Sequence, residues 1–408
     1  MPFSRRSARL LTAVLLAPVL CFALVFAFAE RKSVSETENR PLAAFPEISP
    51  TSLLDSNGGE AVEAYVSDHF PLRETLLALR CRIERLFRGE SNGVLFTSDG
   101  YLVKRCRVDA TGKANTANNL DALCRLMAAI RESGTETVFA LAPRTVDVVS
   151  SSLSRAYIST HAADDEVLQA YPVTDLAPIL RERHNGGEAV MYKTDHHWTT
   201  RGAYYAYAAL CPLLGVSPYP IEDFEEITVK TDFVGTTQAL AGCLPRDLAA
   251  KDAITLYRYD GDEGYTVTIH DTGETQKGLY SMEYLDTKDA YRVFLGGNYG
   301  RVSVTIESDT PRSRLLLFKD SFALSLLPFL LRHFDVEMID PRYDTSTSIA
   351  SLLEESDFSR ALILIGRDTC RESAAISRYC RRALSSDEIQ HVGHSDARSA
   401  AFLLSPRV

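Results

Sequence analysis

The stretch Arg314-Leu315-Leu316-Leu317-Phe318-Lys319-Asp320-Ser321-Phe322 decides the fold. Leu315 to Phe318 form a short, unbroken apolar run, the pattern of a strand buried on both faces. Lys319-Asp320-Ser321 interrupts it, and an apolar helical run follows from Ala323 to Leu331. A buried strand that turns straight into a helix is a building unit of an α/β layer fold. A serine at such a turn lies at the carboxyl edge of the sheet, where its own N–H and the helix N-terminus can stabilise an oxyanion. The plainer reading is that Ser321 only caps the helix.

Working outward, the same alternation recurs. Thr137 to Pro143 and Ala361 to Gly366 read as buried strands, Val336 to Asp340 as a third, and Asn115 to Arg131 as a helix. Residues 161 to 190 continue the pattern and end in the strand-like Ala189-Val190-Met191-Tyr192. Asn92 to Phe96 and Gly100 to Val103 make a hairpin around Ser98-Asp99-Gly100, and an amphipathic helix runs from Pro71 to Phe87. Residues 212 to 310 differ: rich in Thr, Tyr, Asp and Gly, they read as an inserted, largely β excursion that returns to the core at Arg314 and serves to wall a cleft or bind a partner. The helix after Ser321 is expected to reach about His333, and residues 371 to 408 to be peripheral.

The chemistry concentrates in Lys193-Thr194-Asp195-His196-His197-Trp198-Thr199-Thr200-Arg201-Gly202. An acid and an imidazole two residues apart form an orient-and-deprotonate unit: the carboxylate holds one ring nitrogen while the other faces a hydroxyl. Ala203 to Leu210 is helical, with Thr199 or Thr200 as N-cap, so the pair sits on a loop entering a helix. The bland reading is a structural His pair beside a tryptophan. Trp198 and Tyr204, Tyr205 and Tyr207 offer an aromatic stacking surface, although core packing is the commoner use of such residues.

The chain has 408 residues, 45% hydrophobic, with a net charge of −10. It is long enough for two or more domains, and no basic patch argues for a nucleic-acid partner. Arg5, Arg6 and Arg9 precede an uncharged apolar run from Leu10 to Ala29. About 20 such residues cross a bilayer, and the run is long for a signal-peptide core, so residues 1–30 read as a transmembrane anchor. Ala27-Phe28-Ala29 keeps cleavage before Glu30 open as the alternative. Residues 31–55 are polar and proline-punctuated, a stalk, and the rest of the chain is exported. Seven cysteines lie outside the apolar run, an odd count that is no dense disulfide framework; Cys370 and Cys380, or others, could bridge. No C-x-x-C pair or Cys/His cluster suggests zinc, and neither metal nor cofactor is expected.

These segments resemble the DHHW protein family, named for Asp195-His196-His197-Trp198, and the related alginate O-acetyltransferases of the SGNH hydrolase-like superfamily. The likeness rests also on Glu36 to Ala43, Asp68-His69-Phe70-Pro71-Leu72-Arg73, Gly296-Gly297-Asn298, Lys319-Asp320-Ser321-Phe322 and Asp340-Pro341-Arg342-Tyr343. It implies one SGNH-hydrolase-like domain over 56–408, a three-layer α/β/α core with permuted strand order, carrying the β-rich insertion at about 212–310. It implies that Asp195 orients His197, that His197 deprotonates Ser321, and that Ser321 attacks an acetyl donor. Asn298 is the candidate oxyanion donor in place of the usual Asn, the alternative being a turn residue after two glycines; Arg342, Tyr343 and Trp198 are assigned to the oxyanion or the substrate cleft. The alternative for Arg342 and Tyr343 is an ion pair with Asp340 or Asp344. The function implied is an extracytoplasmic O-acetyltransferase acting on a cell-envelope or secreted polysaccharide, supplied with acetyl groups by a membrane-bound O-acyltransferase. A carbohydrate acetylesterase and a non-catalytic cell-envelope scaffold are the alternatives.

Overall fold

The computed structural model describes residues 5–28, 31–35, 37–38, 40–47, 56–106, 110–149, 153 and 168–384. The A-x-A alanine Ala29, residues 48–55 of the stalk, 161–167 and 385–408 lie outside them. The chain divides into two compact units, one of residues 1–93 with 238–248, the other of 94–237 with 249–408.

The larger unit is built on a sheet of eight strands among the described residues: β1 Glu136–Ala142, β2 Thr174–Asp175, β3 Tyr265–Ile269, β4 Glu274–Lys277, β5 Arg301–Ile306, β6 Ser313–Lys319, β7 Phe334–Ile339 and β8 Arg360–Gly366, in the order β4-β3-β5-β7-β6-β8-β1-β2. The block from β7 to β2 is parallel; β5, β3 and β4 extend it antiparallel. The apolar run of β6 is now explained. Leu315 and Leu317 belong to one core, Leu316 and Phe318 to the other, and all four are fully buried. With period-2 side chains and both faces covered, no position along the run is left for a polar residue.

Helices cover the two faces. Helix α1 Ala110–Glu132 and helix α4 Ala375–Ala383 pack on the Leu316 side; α2 Thr200–Leu210 and α3 Phe322–Leu330 pack together on the Leu315 side. All nine residues of α3 are buried, which accounts for a helix apolar all round. It stops at Leu330, three residues short of His333.

Three expectations change. The excursion at 212–310 is not separate from the core. Only Glu225–Phe233 and Asp252–Arg258 form a ribbon of their own, while β3, β4 and β5 join the main sheet, β5 pairing with β7. Residues 189–192 form no strand; Met191 makes a single bridge to Trp198. The segment after 371 is not peripheral as far as it is described. Tyr379 and Cys380 are buried, and buried Asn119 of α1 donates to the Cys370 and Ser373 carbonyls (both 2.7 Å) and accepts from Ser377 N–H (2.9 Å). No disulfide links Cys370 to Cys380.

In the smaller unit, the helix Arg5–Phe28 contains a span, Leu11–Phe28, of mean hydropathy 2.6 with none of it buried. It is long and apolar enough to cross a membrane. The helix after Pro71 begins at Arg73, behind Leu72 at φ 61°, and a further helix, Ser56–Asp68, precedes it. The described residues of 31–47 are no free spacer. Val34–Ser35 pairs with Arg40–Pro41, Arg40 Nη1 donates to Asp68 Oδ2 (2.9 Å), Ala43 N–H donates to the same oxygen (2.8 Å), and Arg73 pairs with Glu38. The two polar motifs at 36–43 and 68–73 are thus the two halves of one ion cluster.

Candidate active site

The Asp-His loop is fixed from both ends before any chemistry begins. Met191 bridges Trp198, and Tyr192 N–H donates to the His197 carbonyl (3.1 Å), closing 191–198 into a tight turn. Thr199 then caps α2, its hydroxyl accepting from Gly202 N–H (3.0 Å). Beneath the turn, buried Asp252 accepts from Lys193 N–H and Thr194 N–H (both 2.8 Å) and from the Thr194 hydroxyl (2.5 Å). Trp198 is fully buried, and its indole N–H reaches the Phe322 carbonyl (3.1 Å) and Ser325 Oγ (3.0 Å). The assignment of Trp198 to the substrate cleft is therefore corrected: the ring has no exposed surface and serves to rivet the histidine loop to α3. Tyr207 is likewise core.

Asp195 Oδ1 lies 2.6 Å from His197 Nδ1, and His197 Nε2 lies 2.7 Å from Ser321 Oγ. Asp195 Oδ1 also accepts from His197 N–H (2.9 Å), while Oδ2 accepts from the Thr236 amide (2.7 Å) and hydroxyl (2.8 Å). A carboxylate only accepts, so Nδ1 carries the imidazole proton and Nε2 is left to take the one on Ser321. Burial by itself raises the Asp195 carboxyl. The adjacent His196 and His197 rings and the hydrogen bonds from His197 and Thr236 overcome it and hold the group well below the carboxylate range. Gly235 presses against this carboxylate: a Cβ there would stand 2.3 Å from Asp195 Cβ and Oδ2.

Ser321 sits where β6 passes into α3, and it does not cap the helix. Its side chain makes no capping bond; Asp320 does that work, with Oδ1 accepting from Phe322 N–H (3.0 Å) and Oδ2 from Gly366 N–H of β8 (2.7 Å). Asp320 is fully buried and so ties the turn to the start of α3 and to β8, freeing Ser321 for His197. The Ser321 N–H makes no hydrogen bond among the described residues.

His196 points elsewhere. The Thr236 hydroxyl spends its single proton on Asp195, so it accepts from His196 Nδ1 (2.8 Å). Desolvation and the neighbouring His197 lower the His196 pKa, although 39% of the side chain is exposed. Its ring and Phe322 line a small hollow with Thr237, Arg144, Arg367 and Asp368. Asp195, His196 and His197 each bring one ligand atom within 4.8 Å of the others, a set that would suit a metal ion, but Asp195 and His197 already spend both their polar ends on protein groups.

Tyr291 was not foreseen. Its buried ring stacks on His197 with centroids 4.0 Å apart and planes 5° apart, and its hydroxyl donates to Ser325 Oγ (3.1 Å). It lies in a short helical turn, Ala290–Val293, with no periodic pattern to mark it. Of the remaining expected residues, Asn298 Oδ1 accepts from Lys319 Nζ (2.8 Å). Arg342 forms a two-pronged pair with buried Asp340 (2.9 and 2.7 Å), the ion-pair alternative. Tyr343 lines a different hollow, with His270, Asp271, Arg301 and Asp344, whose walls include neither His197 nor Ser321.

Against known proteins, no curated protein matches the chain. Among solved structures, a DHHW family protein from Eubacterium siraeum superposes with a TM-score of 0.58 at 21% identity, covering 71% of this chain and 95% of that one. Bacillus cereus PatB1, determined with a sulfonyl adduct, gives 0.56 at 17% identity over 70% and 99%. The O-acetyltransferase domain of Pseudomonas putida AlgJ gives 0.40 at 15% identity over 71% and 99%. The first two are similar in fold. The DHHW protein family itself matches residues 101–339, more than half of the sequence and including Asp195, His197 and Ser321, and the chain belongs to that family.

Proposed function

We propose that this chain is an extracytoplasmic O-acetyltransferase that moves an acetyl group through a Ser321 acyl-enzyme onto a hydroxyl of a cell-envelope or secreted polysaccharide. The observation that carries the reading is the unbroken hydrogen-bond relay Asp195–His197–Ser321, with both links under 3 Å. Its members come in the chain order acid, base, nucleophile, which fits an SGNH-hydrolase-like core with permuted strands; geometry and not order defines such a triad.

The steps follow from the atoms. His197 Nε2 takes the Ser321 proton as Oγ bonds to the acetyl carbonyl carbon, and Asp195 stabilises the imidazolium that results. The carbonyl π electrons move to oxygen, and the Ser321 N–H and the Asn298 amide are the donors proposed for that oxyanion. Collapse expels the donor's alkoxide, which collects the proton from His197. A sugar hydroxyl then gives its proton to His197 and its oxygen bonds to the acetyl carbon; collapse breaks the Ser321 Oγ–carbon bond, and Oγ takes the proton back from His197. An exported enzyme has no acetyl-CoA on its side of the membrane, so a membrane-bound O-acyltransferase delivers the acetyl group. Tyr291 at the back of the His197 ring holds it in plane for both transfers. No metal or cofactor enters any step.

The test is hydrolysis of p-nitrophenyl acetate by wild type and Ser321→Ala. The variant is expected to lose about 10³-fold or more in kcat. Equal acetate release by both proteins would end the nucleophile assignment. Adding candidate glycans separates transfer from hydrolysis: an acetylated glycan by mass spectrometry marks a transferase, and release to water alone marks the esterase alternative.

A further inference from the structure

We infer that Lys319 is a positioning residue for this site: its buried ammonium, steadied by Asp340, captures the amide oxygen of Asn298 and thereby aims the Asn298 NH2 at the oxyanion formed on Ser321. The inference rests on the acyl-enzyme reading above and adds to it a residue that the relay does not use.

Lys319 is the last residue of β6, two before the nucleophile, and only 1% exposed. Its Nζ lies 2.8 Å from Asn298 Oδ1 and 3.2 Å from Asp340 Oδ2. An ammonium has donors and no acceptor, so the end of the Asn298 amide that meets it must be the oxygen. That settles the direction of the other end. The Asn298 NH2 makes no hydrogen bond among the described residues, so its donors remain for a ligand.

The sheet register brings these groups to one edge. Arg301 of β5 pairs with Ile339 of β7, and Ile339 pairs with Phe318 of β6. The residues just before Arg301, just after Ile339 and just after Phe318 therefore emerge together: Asn298, Asp340 and Ser321. The segment leading to Asn298 is held at both ends of the site. Tyr291, seven residues earlier, stacks on His197 and reaches the Ser321 carbonyl (3.4 Å). Between them, Leu295, Gly296 and Gly297 have φ of 64°, 78° and 123°. The two glycines take such angles freely, but a leucine holds one only where the surroundings over-determine the path. Here Leu295 N–H donates to the Leu279 carbonyl (3.1 Å) and Arg292 Nε to the Gly296 carbonyl (2.8 Å).

The charges make a poor case for stability alone. A buried Lys–Asp pair recovers little beyond its own desolvation, and an apolar residue of similar length often serves a core as well. Asp340 is held in turn by Arg342, so the cluster reads as a chain of supports, Arg342 to Asp340 to Lys319 to Asn298.

The experiment measures p-nitrophenyl acetate turnover by the full chain in detergent for wild type, Lys319→Met, Lys319→Arg, Asn298→Ala, the two double variants and Ser321→Ala. Losing one oxyanion donor typically lowers kcat about 10²–10³-fold. Lys319→Met is expected to fall in that range with KM within about threefold of wild type, and Lys319→Arg, whose fork cannot place a donor at the same point, about tenfold. In the Asn298→Ala background both losses should vanish, because the lysine acts only through that amide. Losses that multiply instead, or Lys319→Met with wild-type kcat while Ser321→Ala is dead, would overturn the inference and leave the relay intact. Wild-type turnover in Ser321→Ala would overturn both. If Lys319→Met does not fold, Lys319→Arg with and without Asn298→Ala decides by the same rule.

Discussion

The residue that limits this site is not a member of the relay. Asp195 is pinned on four sides, yet the wall behind it is the backbone of Gly235. A methyl group at Gly235 would need the space of Asp195 Oδ2, so Gly235→Ala must push the carboxylate off His197 Nδ1. Displacements of about 1 Å can cost about 10²-fold in rate, and Gly235→Ala is expected to lower kcat on an acetyl ester by that order while the far-ultraviolet circular dichroism stays unchanged. Wild-type kcat would mean that the loop yields and Asp195 does not depend on this wall. The same carboxylate predicts a pH effect. Its folded pKa lies below the unfolded value of about 3.9, so the stability it contributes is complete above that value and is lost as pH falls below it. Asp195→Asn removes the titration. The difference in Tm between wild type and Asp195→Asn is therefore expected to be largest above about pH 5 and to shrink towards pH 3. A difference constant over that range would place the stabilisation in something other than the charge.

At the scale of elements, the site is a junction of α3, the histidine loop and the turn at 290–293, and Trp198 is the rivet. Trp198→Phe keeps an aromatic ring but deletes the donor shared by the Phe322 carbonyl and Ser325 Oγ, and it removes part of the buried indole volume as well. Leaving such buried acceptors short costs about 1–3 kcal/mol, which chemical denaturation would read as a lower midpoint at unchanged m-value. An unchanged midpoint would show the indole N–H to be dispensable. How much of this junction is legible in the sequence depends on where the causes lie. The strand of Leu315 to Phe318 announces itself because burial on both faces leaves no alternation to confuse. Asp195, His197 and Ser321 are visible as chemical types at strand and helix borders, and Thr199 as a cap. The strands Tyr265–Ile269 and Arg301–Ile306 are visible as strands, but their membership of the main sheet is not, because the pairing partner β7 lies outside the local pattern. Tyr291 gives no signal at all: a lone aromatic in an irregular turn carries no period. Trp198 misleads in the opposite way, since an aromatic beside a catalytic motif looks the same whether it faces a sugar or a core. Gly235 lies 40 residues from Asp195 in sequence, and only the fold brings the two together.

At the scale of the whole chain, a long exposed apolar surface runs along Leu11–Phe28, where Val14, Leu15, Val19, Leu20 and Leu24 are each 60% exposed or more. Burying one such side chain is worth about 1.5–3 kcal/mol, so a helix of this kind has a large free energy to gain from leaving water. At 1.5 Å per residue the 18 residues Leu11–Phe28 extend about 27 Å, close to the thickness of a hydrocarbon core of about 30 Å. Cations at Arg5, Arg6 and Arg9 precede it, and the remaining chain carries Asp195, His197 and Ser321. Full-length protein is accordingly expected in the membrane fraction, resistant to salt and carbonate and released by detergent, with an intact N-terminal mass. A chain beginning at residue 31 is expected in the soluble fraction with Ser321-dependent esterase activity unchanged, since no member of the relay precedes Asp195. A soluble full-length protein that still carries residues 1–28 would refute the anchor, and a mature N-terminus at Glu30 would identify the helix as a cleaved signal. Either result would leave the relay where it is, because the helix and the relay belong to different compact units of the chain.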